Sequence, residues 1–76
     1  MKVLLIDDHP LILSALQSVI QELGDDVTVV GAATARIGRE KLKTETGFDL
    51  ILLDLNLGDS DGFDVLVEFR ATYPEL

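Results

Sequence analysis

The 76-residue chain predicts an α/β fold, a three-stranded parallel sheet threaded in the order βαβαβα. Three short apolar runs, Val3–Ile6, Val27–Val30 and Leu50–Leu53, are continuous rather than alternating, as in strands buried on both faces. The stretches between them place apolar residues at helical spacing, bounded by proline and glycine. Strands that alternate with helices pair in parallel through right-handed crossovers.

The first strand stops where Asp7-Asp8 interrupts the apolar run. Pro10 then opens a helix, because the first helical turn needs no N–H from it. Ile12, Leu16, Val19, Ile20 and Leu23 supply the apolar stripe of this helix, and Gly24 stands where a C-terminal glycine belongs. The second helix is expected over Ala35 to Lys43, with Thr34 as its N-cap. Ile37 and Leu42 give it a thin apolar stripe, and Gly38 weakens it. Gly47 closes it before Phe48 opens the third strand. The third helix begins at Gly62 or Phe63, presents Phe63, Leu66, Phe69 and Tyr73 on one face, and ends at Pro74. Three strands are few for such a sheet, which usually has about five or six. The sequence stops after a helix, where another strand would follow, so it reads as a fragment of a larger domain.

Composition removes several classes of function. With 47% apolar and 26% charged residues the chain folds rather than remaining disordered. It has no cysteine, hence no disulfide and no thiolate metal site. No apolar run approaches the roughly 20 residues of a membrane span. Met1-Lys2 leads into only four apolar residues, which is not a signal peptide. The expected setting is the cytoplasm, with no membrane contact. Fourteen acidic against six basic residues give a net charge of −8, which argues against nucleic-acid binding by this segment. There is no P-loop, no dinucleotide-binding glycine motif and no nucleophile elbow. Ser14, Ser18 and Ser60 read as solvated surface residues.

The acids that follow the strands carry the chemistry. Ligands of parallel α/β sheets bind beyond the carboxyl ends of the strands. Asp7 and Asp8 end the first strand, and Asp54 ends the third. If those strands are neighbours, three carboxylates meet at one sheet edge. They repel one another unless a cation offsets the charge, and Mg²⁺ is suited to oxygen ligands and retained water. Each acid also has a structural role open to it, since Asp8 could cap the first helix and Asp54 could close a turn. The conjunction of all three favours the metal. His9 is expected at the helix entrance without binding a metal, because one imidazole among carboxylates is not a zinc site.

The run Val3-Leu4-Leu5-Ile6-Asp7-Asp8-His9-Pro10, with Leu50-Ile51-Leu52-Leu53-Asp54-Leu55-Asn56-Leu57 and then Asp61-Gly62, resembles the receiver domain of two-component response regulators. The Asp-Asp-His-Pro start resembles the NarL/FixJ type, usually joined to a DNA-binding helix-turn-helix. The resemblance covers the whole chain, and residues 1–76 would be the N-terminal part of a CheY-like receiver, cut after the third of five βα units. It implies a partial flavodoxin-like fold with strand order 2-1-3. It also implies that Asp54 is the phosphoacceptor, that Asp8 binds Mg²⁺ directly, that Asp7 acts mainly through water, and that Asn56 offers the metal its backbone carbonyl.

The same resemblance implies a sensor histidine kinase as partner, with pairing specificity around Leu11, Ser14 and Ala15. DNA would be reached only through a separate output domain. The Ser or Thr, the Lys and the aromatic residue that read the phosphoryl group in intact receivers are not in this sequence. Phosphorylation of Asp54 is therefore expected of the parent protein and inefficient in the segment alone. Gly58 stands where the family often has proline. Strand three becomes a sheet edge, which predicts self-association. Two other readings are a phosphorylation-independent interaction module and a Mg²⁺-dependent phosphohydrolase of haloacid-dehalogenase type. The second conflicts with Asn56, where those enzymes carry a second Asp.

Overall fold

The computed structural model describes residues 1–58 and 61–76. Its elements are β1 (Lys2–Ile6), α1 (Pro10–Gln21), β2 (Thr28–Ala32), α2 (Ala35–Thr44), β3 (Leu50–Leu53) and α3 (Gly62–Thr72). The three strands are parallel in the order β2-β1-β3, as expected. β1 is central, with Ile6 level with Ala32 on one side and with Leu53 on the other. That register sends the chain out of β1 and β3 at the same height.

The main core cluster lies on one face of the sheet, while Val3 and Leu5 of β1 are buried on the other. Leu4 and Ile6 of β1 pack with Ala35 and Leu42 from α2, with Val65 and Phe69 from α3, and with Ala32 and Leu57. Thr34 caps α2 as predicted, its Oγ1 accepting the Ile37 N–H at 3.1 Å. Gly47 takes a positive φ of 83°, the backbone reversal that lets the chain leave α2 and enter β3.

Several boundaries and faces differ from expectation. β2 lies over Thr28–Ala32 rather than Val27–Val30, because its ladder with β1 continues through Leu5–Gly31 and Ile6–Ala32. Gly31 and Ala32 have weak strand propensity, so the sequence conceals them. β3 starts at Leu50, with Phe48 and Asp49 ahead of it. Only β1 is buried on both faces. Leu50 and Leu52 of β3 are exposed.

α1 ends at Gln21 with Glu22 as a right-handed C-cap, so Gly24 lies in the following turn and does not terminate the helix. Its half-buried side is Leu13, Gln17 and Ile20, while Ile12, Leu16, Val19 and Leu23 of the expected stripe face outward. The buried face of α3 is Gly62, Val65 and Phe69, with Tyr73 half-buried, whereas Phe63 and Leu66 are exposed. Among the described residues no helix is long and apolar enough to cross a membrane. Ser14 and Ser18 are exposed, and Ser60 lies outside the described residues.

Candidate functional site

The parallel ladder runs one step beyond the strands and so fixes where the acids begin. The Asp7 N–H donates to Ala32 O at 3.0 Å, and the Asp54 N–H donates to Ile6 O at 2.9 Å. Asp7 and Asp54 thus leave neighbouring strands side by side, and Asp8 follows at the entrance to α1. The predicted conjunction holds for these three: Asp7, Asp8 and Asp54 converge at one sheet edge. Together with His9 they offer four ligand atoms within 4.8 Å of one another.

Each carboxylate is held differently. Asp7 is 8% exposed and is the one buried charged residue among those described. Its Oδ1 accepts both the His9 backbone N–H at 2.9 Å and His9 Nδ1 at 2.7 Å. Burial pushes the Asp7 carboxyl up, but these bonds and the His9 charge outweigh it and hold the group below the usual carboxylate range. Asp8 Oδ2 accepts the Gly58 N–H at 2.9 Å, which ties the loop after β3 to the end of β1. Asp8 Oδ1 is buried and accepts no hydrogen bond. Asp54 Oδ1 accepts the Asn56 N–H at 3.0 Å in a tight local turn.

His9 is the residue that sequence reasoning left outside the site. It stands at the helix entrance as expected, at the N-cap position but with no side-chain capping bond. Its ring turns into the acids instead, with Nδ1 2.7 Å from Asp7 Oδ1, 3.1 Å from Asp8 Oδ1 and 3.3 Å from Asp54 Oδ2. The hydrogen bond to Asp7, and then the charge of Asp8, raise the pKa of the imidazole above its ordinary value against a smaller opposing effect of burial. The only available signal was its place directly after two acids. The Gly58 contact was also missed, since it depends on the path of a loop. Asp8 does not cap α1, so that structural role is excluded. Asn56 touches the cluster through its N–H.

Three carboxylates in such proximity suit a hard dication. Asp8 Oδ1 sharpens the fit, because a buried acceptor that takes no hydrogen bond, with only the ion-pair contact to His9 Nδ1 beside it, carries a desolvation cost that a bound cation removes. The profile of the response regulator receiver domain matches residues 3–76, nearly the whole chain. The chain belongs to the response regulator receiver family.

As a receiver it is similar to the nitrate/nitrite response regulator NarL of Escherichia coli K12, 38% identical over 68 residues, which covers 90% of this chain and 31% of that protein. The chain spans about a third of the length of NarL and of its Haemophilus influenzae homologue. Among solved structures, a CheY-like receiver domain protein from Methanospirillum hungatei JF-1 superposes with a TM-score of 0.85 at 30% identity, covering 96% of this chain and 56% of that one. The response regulator TrrA of Thermotoga maritima, solved in complex with Mg²⁺-BeF, superposes at 0.84 with 25% identity, covering 96% of this chain and 61% of that one. Receiver domains are the phosphoacceptor modules of two-component response regulators, and they use Mg²⁺ in their phosphorylation.

Proposed function

We propose that Asp54 is the acceptor, and that Asp7, Asp8, Asp54 and the Asn56 carbonyl hold Mg²⁺ beside it. The convergence of the three carboxylates, with the buried Asp8 Oδ1 accepting no hydrogen bond, carries this reading. Bound Mg²⁺ would neutralise charge on the transferring phosphoryl oxygens. The remaining work belongs to the chain. The Asn56 N–H fixes Asp54 Oδ1 and so orients the carboxylate. One Asp54 oxygen attacks phosphorus, the P–N bond of a phosphohistidine breaks, and the histidine leaves as an aspartyl phosphate forms. The segment is consumed stoichiometrically as an acceptor and is not a turnover enzyme.

The donor would be a cytoplasmic sensor histidine kinase docking near α1. Residues 1–76 would serve as the N-terminal part of a transcription regulator's receiver, with DNA contacts made elsewhere in that protein. A net charge of −8 supports the absence of nucleic-acid contacts here. Acetyl phosphate and Mg²⁺ test the reading directly by intact mass. A low-yield single phosphoryl adduct is expected on the wild type and none on Asp54→Asn. An adduct of equal yield on the variant would remove Asp54 from the role.

A second role as an interaction module rests on the apolar surface. The outer edge of β3 has no strand partner among the described residues, and Leu50 and Leu52 of β3 and Leu66, which lines a pocket with Leu50, are exposed. Self-association through this edge covers that surface.

A further inference from the structure

His9 Nδ1 stands among the carboxylates at a revealing spacing. Its distances to Asp7 Oδ1, Asp8 Oδ1 and Asp54 Oδ2 are 2.7, 3.1 and 3.3 Å. A single N–H can be directed well at only one of those oxygens, because hydrogen bonds weaken steeply off axis. Neighbouring ligands of an octahedral ion with bonds of ~2.1 Å stand about 3.0 Å apart. The three distances straddle that edge length. An ion among these atoms would lie closer, at about 2.1 Å from each. Once its proton is given up, as ligation requires, Nδ1 would stand at a ligand's spacing from these oxygens and not in the place of the ion.

Two further features agree. Asp8 Oδ1, 3.1 Å from Nδ1, is buried and accepts no hydrogen bond, although its sister oxygen is bonded to Gly58. The His9 backbone is also constrained. Its N–H is held by Asp7 at 2.9 Å, and Pro10 follows at the first position of α1.

We propose that His9 Nδ1 is a further protein ligand of the bound dication, and that it biases this site toward borderline ions such as Ni²⁺ relative to Mg²⁺. The inference rests on the reading of the acid cluster as a dication site. Imidazole suits Ni²⁺ and its neighbours, whereas carboxylate, carbonyl and water suit Mg²⁺. Carboxylates alone already follow the general order of metal affinities, so the informative quantity is how the Ni²⁺-to-Mg²⁺ ratio changes when the imidazole is removed.

The test is electron spin echo modulation of the wild-type chain loaded with Mn²⁺, beside Ni²⁺ and Mg²⁺ titrations of wild type, His9→Ala and Asp8→Asn. Coupling to a directly bound nitrogen is expected in the wild type and lost in His9→Ala. Ni²⁺ affinity should fall at least about tenfold in His9→Ala while Mg²⁺ affinity changes less than about threefold. Mn²⁺ bound without nitrogen coupling, and still abolished by Asp8→Asn, overturns the role of His9 and leaves the carboxylate site standing. A wild-type chain that binds no dication overturns both. The spectrum is read on the wild type, so it does not depend on how any variant folds.

Discussion

Gly62 has no side chain because the backbone of Leu55 lies where a Cβ would stand. That contact seats the loop after Asp54 on the start of α3, while Asp61 caps the same helix by accepting the Phe63 N–H at 2.8 Å. Backbone cannot give way as a side-chain tip can. Gly62→Ala should therefore destabilise by roughly 3 kcal/mol or more, read from the urea midpoint, at the upper end of overpacking costs. A loss under 0.5 kcal/mol, the size of a neutral surface change, would mean that Leu55 and Gly62 separate freely. At this scale the sequence exposed Asp7, Asp8 and Asp54, since the Asp7-Asp8 pair and Asp54 each directly follow an apolar run. It did not expose the His9 ring or the Gly58 N–H, which depend on a rotamer and a loop path.

At the scale of elements, α3 separates two aromatic residues that its sequence presents alike. Phe69 is 5% exposed and meets Tyr73 edge-on with ring centres 6.5 Å apart, whereas Phe63 is 62% exposed. Phe69→Ala should cost about 3–5 kcal/mol and Phe63→Ala less than about 0.5, compared by thermal unfolding. Equal losses would place the helix on its other face. α2 and α3 are also tied by Arg39 and Glu68, with Nε to Oε2 at 2.7 Å and Nη2 to Oε1 at 2.9 Å. The hydrogen bond from Arg39 holds the Glu68 carboxyl below its ordinary value of 4.5. A lowered carboxyl adds stability above its unfolded pKa, and this is lost as pH falls through the folded value. The pair is exposed and screened, so Glu68→Gln should cost no more than about 1 kcal/mol at pH 7. That difference should vanish as the pH is taken below 4.5, and a deficit that persists in acid would assign it to packing.

For the whole molecule, burial is uneven. The face covered by α2 and α3 holds the main cluster, while on the other face Val3 and Leu5 are buried but no residue of α1 is. A groove of about 480 Å³ runs between α1 and β3, with Ile12, Leu16 and Leu52 along its walls and His9 and Asp54 at its head. Apolar surface favours association, and a net charge of −8 on each copy opposes it. Screening shortens to roughly 3 Å at 1 M salt, so the balance tips as salt rises. Sedimentation velocity should show a larger weight-average mass at 0.5 M than at 0.02 M salt, by an order-of-magnitude reading of that screening. A monomer at both salts, at high protein concentration, would show that this surface does not self-associate.

The sequence by itself determined the α/β class, the order of elements and the three acids. Those features follow from local patterns: the period of apolar residues, the punctuation by Pro10, Thr34 and Gly47, and acids placed directly after strands. The residue motif also disclosed the family, and through it the strand order. Only the tertiary structure decided which helix face is buried, how far β2 runs, and that His9 turns into the acids. Each of these depends on partners distant in sequence. Gly31 and Ala32 become strand because β1 lies beside them, and Phe69 rather than Phe63 is core because the sheet covers one side of α3. Contacts of that kind leave no local period to read.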